Sequence, residues 1–501
     1  MGDKNTWAPV HDGPVLLMST RQVRLVGAAA ITVLLLAILD INIVSAVAWK
    51  TVADLDPVHG IAELPWLTSC YALADCIVVP LYGRLADEYG AKPLLLTALG
   101  LFTVGSLGCG LSRTLTELIA ARTVQGLGAG GLTAITLVVT GTLFDDRDDS
   151  DPDRTVKPSS AVGIGAAVMF GIGLALGPTL GGLISDSLNW RWVFLLNLPV
   201  AAVAFVVFAL VLRLPARPVR RRVDFLGAAL LGGFGACALL VAQWGGSRYA
   251  WTSGVVTALA AGAVLLASCF VWRSLVAPEP LVSLTLLRNP VFRMMMPVSL
   301  VAGTGVAGGL FYVNGYLQVG RGLSTGHAGL LTACTAAGVL ASVPVARLIV
   351  NTLGKFKYLL VAAGTFEAAV LIAFGGIGTG TSYWLIGAGC FVLGIGVGQS
   401  LGLGLQYMQS SVDPADLGVA TGSLRFAQQL GTSFGFALYS TIVVREGAGG
   451  AVTVGGGGDR AAAAAAVFVH ATNVVFAVAG VLCLAAGLMA LAIRERGRSA
   501  A

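Results

Sequence analysis

Long apolar runs separated by short polar connections dominate this chain. Runs long enough to cross about 30 Å of hydrocarbon as helices lie near 22–48, 62–82, 93–111, 115–143, 159–185 and 190–212, then 225–245 and 252–273, then 291–318, 327–350, 357–377, 382–409, 417–444 and 467–493. The pattern predicts an all-α membrane protein with 14 transmembrane helices: two pseudo-symmetric six-helix bundles with two extra helices between them. The expected divisions are a tail at 1–21, a first bundle over 22–212, a linker carrying two additional helices over 213–290, a second bundle over 291–493 and a tail at 494–501. The Gly- and Ala-rich stretch 445–466 reads as a loop.

Composition says which solvent this pattern faces. Of 501 residues, 11% are charged and 56% hydrophobic, and mean hydropathy is +0.84. A soluble domain carries about 25% charged residues, so lipid must be the main solvent here. The 67 glycines suit closely packed membrane helices. The first twenty residues lack the basic, apolar and small-residue succession of a cleaved leader, so the first span is expected to direct insertion. With an even number of spans both termini share one side, and on that side lie 22 of the Lys and Arg residues against 7 on the other. The side richer in cations is cytoplasmic by the positive-inside rule, so both termini are expected there.

Other classes fall away on the same page. The net charge of +6 is spread between spans rather than gathered on one face, which excludes nucleic acid as an expected partner. The eight cysteines all fall within apolar runs and form no CxxC or Cys/His cluster, so neither metal nor cofactor is expected. The four histidines are scattered, and no HExxH, P-loop or GxSxG string occurs, so the chain does not read as an enzyme. Without an ATP-binding motif, any work must draw on an ion gradient. The expected partners are small hydrophobic molecules, protons and membrane lipids, with the chain a monomer.

Four stretches carry polar chemistry among the apolar ones. Between the second and third spans, Gly83-Arg-Leu-Ala-Asp87-Glu-Tyr-Gly90-Ala-Lys92 supplies glycines for a reversal and an aspartate able to cap a helix or pair with a cation. In the fourth span, Arg122 and Gln125 sit one turn apart and precede Gly126. A guanidinium within hydrocarbon needs a cavity or a partner, unless it snorkels to the helix start. In the fifth, Gly173-Leu-Ala-Leu-Gly177-Pro178-Thr-Leu-Gly181-Gly182 sets glycines four apart beside a proline, which specifies tight, bent packing. The first carries Asp40 and Asn42. An internal repeat is also visible: Gly126-Leu-Gly-Ala-Gly130 is similar to Gly394-Ile-Gly-Val-Gly398, and Gly177 and Gly181 have counterparts in Gly431 and Gly435.

These strings resemble the signatures of the major facilitator superfamily, and specifically its fourteen-span drug:proton antiporters. Gly83, Leu85, Asp87, Gly90 and Lys92 match the cytoplasmic loop signature, from which Glu88 and Ala91 depart. Arg122 to Gly128 is similar to the fourth-span signature associated with proton coupling, and Gly173 to Gly182 to the antiporter signature. Leu39 to Val44 resembles the first-span signature, with Asn42 in place of Thr and Trp49-Lys50 in place of the closing Leu-Pro. Trp190 to Pro199 and Gln318 to Ser324 extend the likeness over nearly the whole chain. The resemblance implies a proton-coupled antiporter of a bacterial inner membrane, exporting hydrophobic drugs or antibiotics, cationic ones among them. Export of a lipid, siderophore or other endogenous metabolite, and uptake by symport, stay open.

Depth along the helices adds a candidate pair. Asp40 and Arg122 each lie about eight residues from the same membrane face, on helices that run in opposite directions, so they sit at similar depth at about 1.5 Å per residue. Asp40 is the expected proton carrier, with Arg122 and Gln125 tuning it, unless the pair is only structural. Asp75 and Glu367 are further proton or cation candidates near mid-depth, and Glu367 falls on a helix that by resemblance is peripheral. Asn42 and the row Tyr312, Asn314, Tyr316 and Gln318 are candidate substrate contacts, although the row alternates unlike one helical face and also suits an aromatic interface belt. Gln406 and Tyr407 are weaker candidates of the same kind.

Overall fold

The computed structural model describes residues 18–56, 60–143, 173, 176–213, 224–245, 248–277, 284–353, 357–409, 411–412, 417–446 and 459–493. Within them the secondary structure is helical throughout, with one isolated bridge between Gly245 and Tyr249 and no strand. The helices are α1 (Thr20–Leu55), α2 (Gly60–Tyr89), α3 (Ala91–Leu111), α4 (Leu115–Leu143), α5 (176–187), α6 (Arg191–Val211), α7 (Phe225–Trp244), α8 (Gly254–Val276), α9 (Pro290–Gly320), α10 (Thr325–Leu353), α11 (Lys357–Phe374), α12 (Tyr383–Gln409), α13 (Leu417–Arg445) and α14 (Asp459–Ala490). Eleven of those described are long and apolar enough to cross a membrane. α4, α5 and α13 are outside that set, and only a short part of α5 is described.

Local chemistry explains several boundaries. Ser19 caps α1 by accepting from the Gln22 amide while Gln22 accepts in return from the Ser19 amide. The 36 residues of α1 then run on to Leu55, about 54 Å, well past the expected end near 48. α2 continues through Gly83 to Tyr89, past its expected end near 82, and the reversal falls at Gly90, whose φ of +85° demands glycine. Lys92 then donates to the Ala209 carbonyl (2.8 Å) near the end of α6. The Asp87 side chain, the aspartate-rich loop after α4 and the first half of the fifth apolar run lie outside the described residues.

Glycine-mediated contacts hold the bundle together. In α4, Gly126 meets Tyr71 of α2 and Gly128 meets Ala98 and Phe102 of α3. In α12, Gly394 meets Thr335 of α10 and Gly396 meets Ala363 and Glu367 of α11. The two similar glycine strings thus serve equivalent contacts in α1–α6 and α9–α14. α7 and α8 pack on each other, and α7 spans α2 and α13: Gly235 abuts both Leu73 and Phe426. Elsewhere α6 and α8 expose Val203, Leu210, Val264, Leu265 and Leu275, a surface suited to lipid rather than water.

Candidate functional site

Inside α1–α6 a set of polar side chains is sealed from solvent. Asp40 and Arg122 are each about 1% exposed, Gln125 and Ser106 are fully buried, and Asn197 is 4% exposed. Burying such groups is tolerable only when each is partnered. Arg122 Nη1 donates to Asp40 Oδ2 at 2.5 Å and to Gln125 Oε1 at 2.7 Å, and Nε donates to the Leu67 carbonyl at 3.2 Å. The other carboxylate oxygen, Asp40 Oδ1, accepts from Gln125 Nε2 and Asn197 Nδ2, both at 2.9 Å. Those two amides also share the Ser106 hydroxyl, at 2.7 and 3.2 Å. The guanidinium carbon lies 4.0 Å from the Tyr71 ring centroid, a cation–π contact on a face left free by the hydrogen bonds.

Five helices therefore converge on one ion pair: α1, α2, α3, α4 and α6. Their close approach rests on Gly105, where a Cβ would fall 2.5 Å from the Gln125 nitrogen. Asp40, Arg122 and Gln125 were named from sequence; Asn197, Ser106 and Tyr71 were not singled out. Asn197 carried a faint signal, as an amide among apolar residues two positions before Pro199. Ser106 carried none, because small hydroxyl residues are common in membrane helices.

The glycine–proline string of α5 touches this site from outside. Gly173 faces Ile38, while Gly177 and Gly181 face Asn42 and Ile43, all on α1 around Asp40. On the other side of α5, Gly182 meets Thr325 and Gly326 of α10, Pro178 meets Gly329 and the Thr179 hydroxyl donates to the Gly329 carbonyl. The string is thus wedged between the Asp40 segment and the second set of helices.

At the same end of the bundle α1 and α5 are fastened to α9 and α10. Lys50 Nζ donates to the Ser185 carbonyl (2.6 Å) and to Asp186 Oδ1 (3.5 Å), and the Gly326 amide donates to Asp186 Oδ2 (2.8 Å). Gln318 Nε2 donates to the Ala46 carbonyl at 2.9 Å. Trp49 packs among Phe311, Tyr312 and Phe468 with centroids 5.4–5.9 Å apart. Two of the residues that depart from the first-span signature, Trp49 and Lys50, help to build this closure.

The remaining candidates scatter. Tyr312 is buried against Trp49 of α1, and Asn314 is buried with no hydrogen-bond partner for its Oδ1 among the described residues. Tyr316 turns away and donates to the Gly378 carbonyl. The alternation of this row is resolved by a π-helical turn over Tyr316–Gly320, which resets the face between Tyr312 and Gln318. Asn42 donates to the Ile38 carbonyl of its own helix. Gln406 is exposed, and Tyr407 belongs to an apolar cluster with Met295 and Met408 rather than to the ion-pair site. Asp75 faces Arg425 electrostatically across the α2–α13 contact, and Glu367 lies in a separate cavity among α9–α14. The eight cysteines are all free, and no cluster able to hold a metal occurs among the described residues.

The described residues thus form a multi-helix membrane domain with an ion pair buried between its helices. Residues 29–436 match the family model described as Major Facilitator Superfamily. The chain belongs to that superfamily. Among relatives, it is 31% identical over 379 residues to an uncharacterised MFS-type transporter of Mycobacterium tuberculosis, covering 76% of this chain and 54% of that protein. This chain thus spans about half the length of that relative. It is 28% identical over 411 residues to a multidrug transporter protein of Bacillus subtilis (81% and 72% covered) and 27% identical over 412 to multidrug resistance protein 3 of the same organism (82% and 77%). In shape it is similar to a crystal structure of an auto-inhibited POT family peptide transporter, with TM-score 0.67 and 16% identity over 96% of this chain and 99% of that one.

Proposed function

We propose that the protein is a proton-coupled antiporter that exports hydrophobic compounds, lipophilic cations among them, across a bacterial inner membrane. On this reading it has fourteen spans in two pseudo-symmetric six-helix halves, both termini are cytoplasmic, and the Lys50 end faces outward. The equivalent glycine contacts of α4 and α12 support the halves. The observation that carries the reading is the Asp40–Arg122–Gln125–Asn197 cluster, packed directly behind the α5 string that separates α1 from α10. A carboxylate with a counter-charge and three amide or guanidinium donors is stable when ionised; protonation removes the charge that holds Arg122 and loosens α1 from α4. Because α5 lies against α1 at Ile38, Asn42 and Ile43, such loosening reaches the contact with α10 without a further relay. In the state described the cluster is sealed from both faces, so proton exchange requires the helices to part, as alternating access demands.

Relatives named multidrug transporters support hydrophobic compounds as cargo. Proteoliposomes containing a pH-sensitive dye and challenged with tetraphenylphosphonium or neutral antibiotics test the reading. Protons should move opposite to the compound, and Asp40→Asn should abolish that movement while the protein stays folded, its guanidinium still held by Gln125, Leu67 and Tyr71. Co-directional movement would indicate symport. Uphill transport with no ion gradient at all would overturn the proposal.

A further inference from the structure

A second carboxyl is buried in the other set of helices, and nothing in the cluster above uses it. Glu367 on α11 is about 1% exposed and sits ten residues after Lys357, about 15 Å along the helix. It borders a cavity of ≈ 20 Å³ enclosed by α9, α11, α12, α13 and α14. That is room for one water and far too little for an organic cation. Three polar side chains line the cavity with it: Ser299 of α9, Ser400 of α12 and Gln428 of α13. The Ser400 hydroxyl donates to Glu367 Oε1 at 2.8 Å.

Two local features bring the carboxyl to this place. A Cβ at Gly396 would fall 2.5 Å from Glu367 Cγ, so glycine makes the space in α12. One turn on, α12 widens into a π-helical stretch over Gly398–Leu403 that carries Ser400; such turns recur at functional sites. The groups facing the carboxyl are the Ser400 hydroxyl and, on α14, the Cys483 thiol. No charged residue other than Glu367 lines the cavity among the described residues. Arg425, on the same helix as Gln428, does not line the cavity. The contrast with Asp40 is chemical: Asp40 has a permanent counter-charge, whereas Glu367 has none. A lone carboxylate in an apolar interior is costly and a carboxylic acid is not. The rest of the lining, Val298, Ala302 and Leu360 among it, is apolar.

We infer that Glu367 is a second proton-binding group, exchanging its proton with a water in the cavity between α9 and α11–α14. The inference rests on the antiport reading for its role in transport and gives each half its own proton site. Infrared difference spectra of the purified full chain between two pH values test the site without transport. Wild type should show the carbonyl band of a buried carboxylic acid, Glu367→Gln should lose it, and Ser400→Ala should shift it by removing its hydrogen bond. Should Glu367→Gln fail to fold, the Ser400→Ala shift alone decides. A spectrum unchanged in the variants, or one that responds to sodium as it does to protons, overturns the inference. A second measurement counts protons released when tetraphenylphosphonium binds. Glu367→Gln should release one fewer than wild type, and Asp40→Asn should lose its own. If Asp40→Asn lowers the count and Glu367→Gln does not, the second site falls while antiport stands. If wild type releases none, the antiport reading falls and the infrared band still decides whether Glu367 holds a proton.

Discussion

Arg122 is almost wholly buried, yet its Nη1 meets a carboxylate and an amide oxygen, its Nε a main-chain carbonyl, and its guanidinium an aromatic face. Such a pair adds little net stability when intact, but losing one partner strands the other charge at a cost of about 3–5 kcal/mol. Arg122→Gln should therefore destabilise the purified protein by about that amount in thermal or denaturant unfolding. The double variant Asp40→Asn/Arg122→Gln, which removes both charges and keeps hydrogen-bonding groups, should recover most of the loss. Additive effects of the two substitutions would mean that the pair is not coupled. At Asn197 the change to Leu removes a donor to Asp40 and Ser106 together, and should shift the pH at which the compound-driven proton signal is half maximal. A purely structural Asn197 would lower the amount of folded protein and leave that pH unchanged.

Among the helices, α5 is the one whose contacts look both ways. Its face at Gly173, Gly177 and Gly181 accepts α1, and its face at Pro178 and Gly182 accepts α10. A Cβ at Gly182 would lie 2.5 Å from the Thr325 carbonyl oxygen and 2.6 Å from Gly326 Cα, both main-chain atoms that cannot rotate aside. Gly182→Ala should then push α5 and α10 apart at the Lys50 end, seen as a longer distance between spin labels placed at the ends of those helices. Gly100 on α3, which has nothing within 4 Å of its added Cβ, supplies the comparison. There Ala should leave the distance unchanged, and helix propensity favours it over Gly by up to about 1 kcal/mol. α7 also bridges, from Leu73 of α2 to Phe426 of α13, but through an apolar seam that imposes no comparable steric limit.

For the whole molecule, the arrangement described is one in which α1 and α5 are fastened to α9 and α10 at the end carrying Lys50. Asp186 is the polar centre of that closure. Partial burial acts to raise its pKa, but the Gly326 amide, the Ser324 hydroxyl and the Lys50 ammonium together outweigh it and hold the carboxyl below its usual range. A lowered value in the closed state means that the closure gains from the ionised form. That gain is fully present above the ordinary Asp value of about 3.9 and is lost as pH falls through the lowered one. The spin-label distance should therefore stay constant from neutral pH to about 5 and lengthen only in stronger acid. Asp186→Asn should lengthen it at every pH. A distance already changing near pH 6 would point to a different titrating group.

Apolar run length needs no tertiary information, because a helix in lipid must satisfy its own backbone and be long enough to cross. For that reason the positions of the membrane helices and the glycine strings were legible directly, as was the superfamily. The depth argument brought Asp40 and Arg122 level, because rise per residue is a local property. Whether they met depended on which helices are neighbours, and only the folded bundle decided that. It also decided that Asn197 and Ser106 complete the cluster, that a π-helical turn divides the Tyr312–Gln318 row, and that the reversal after α2 waits until Gly90. Each of these depends on the angle at which a side chain leaves its helix toward residues tens or hundreds of positions away. Glu367 shows the limit most clearly: along the chain it is one acid in an apolar run, and its cavity exists only where five helices come together.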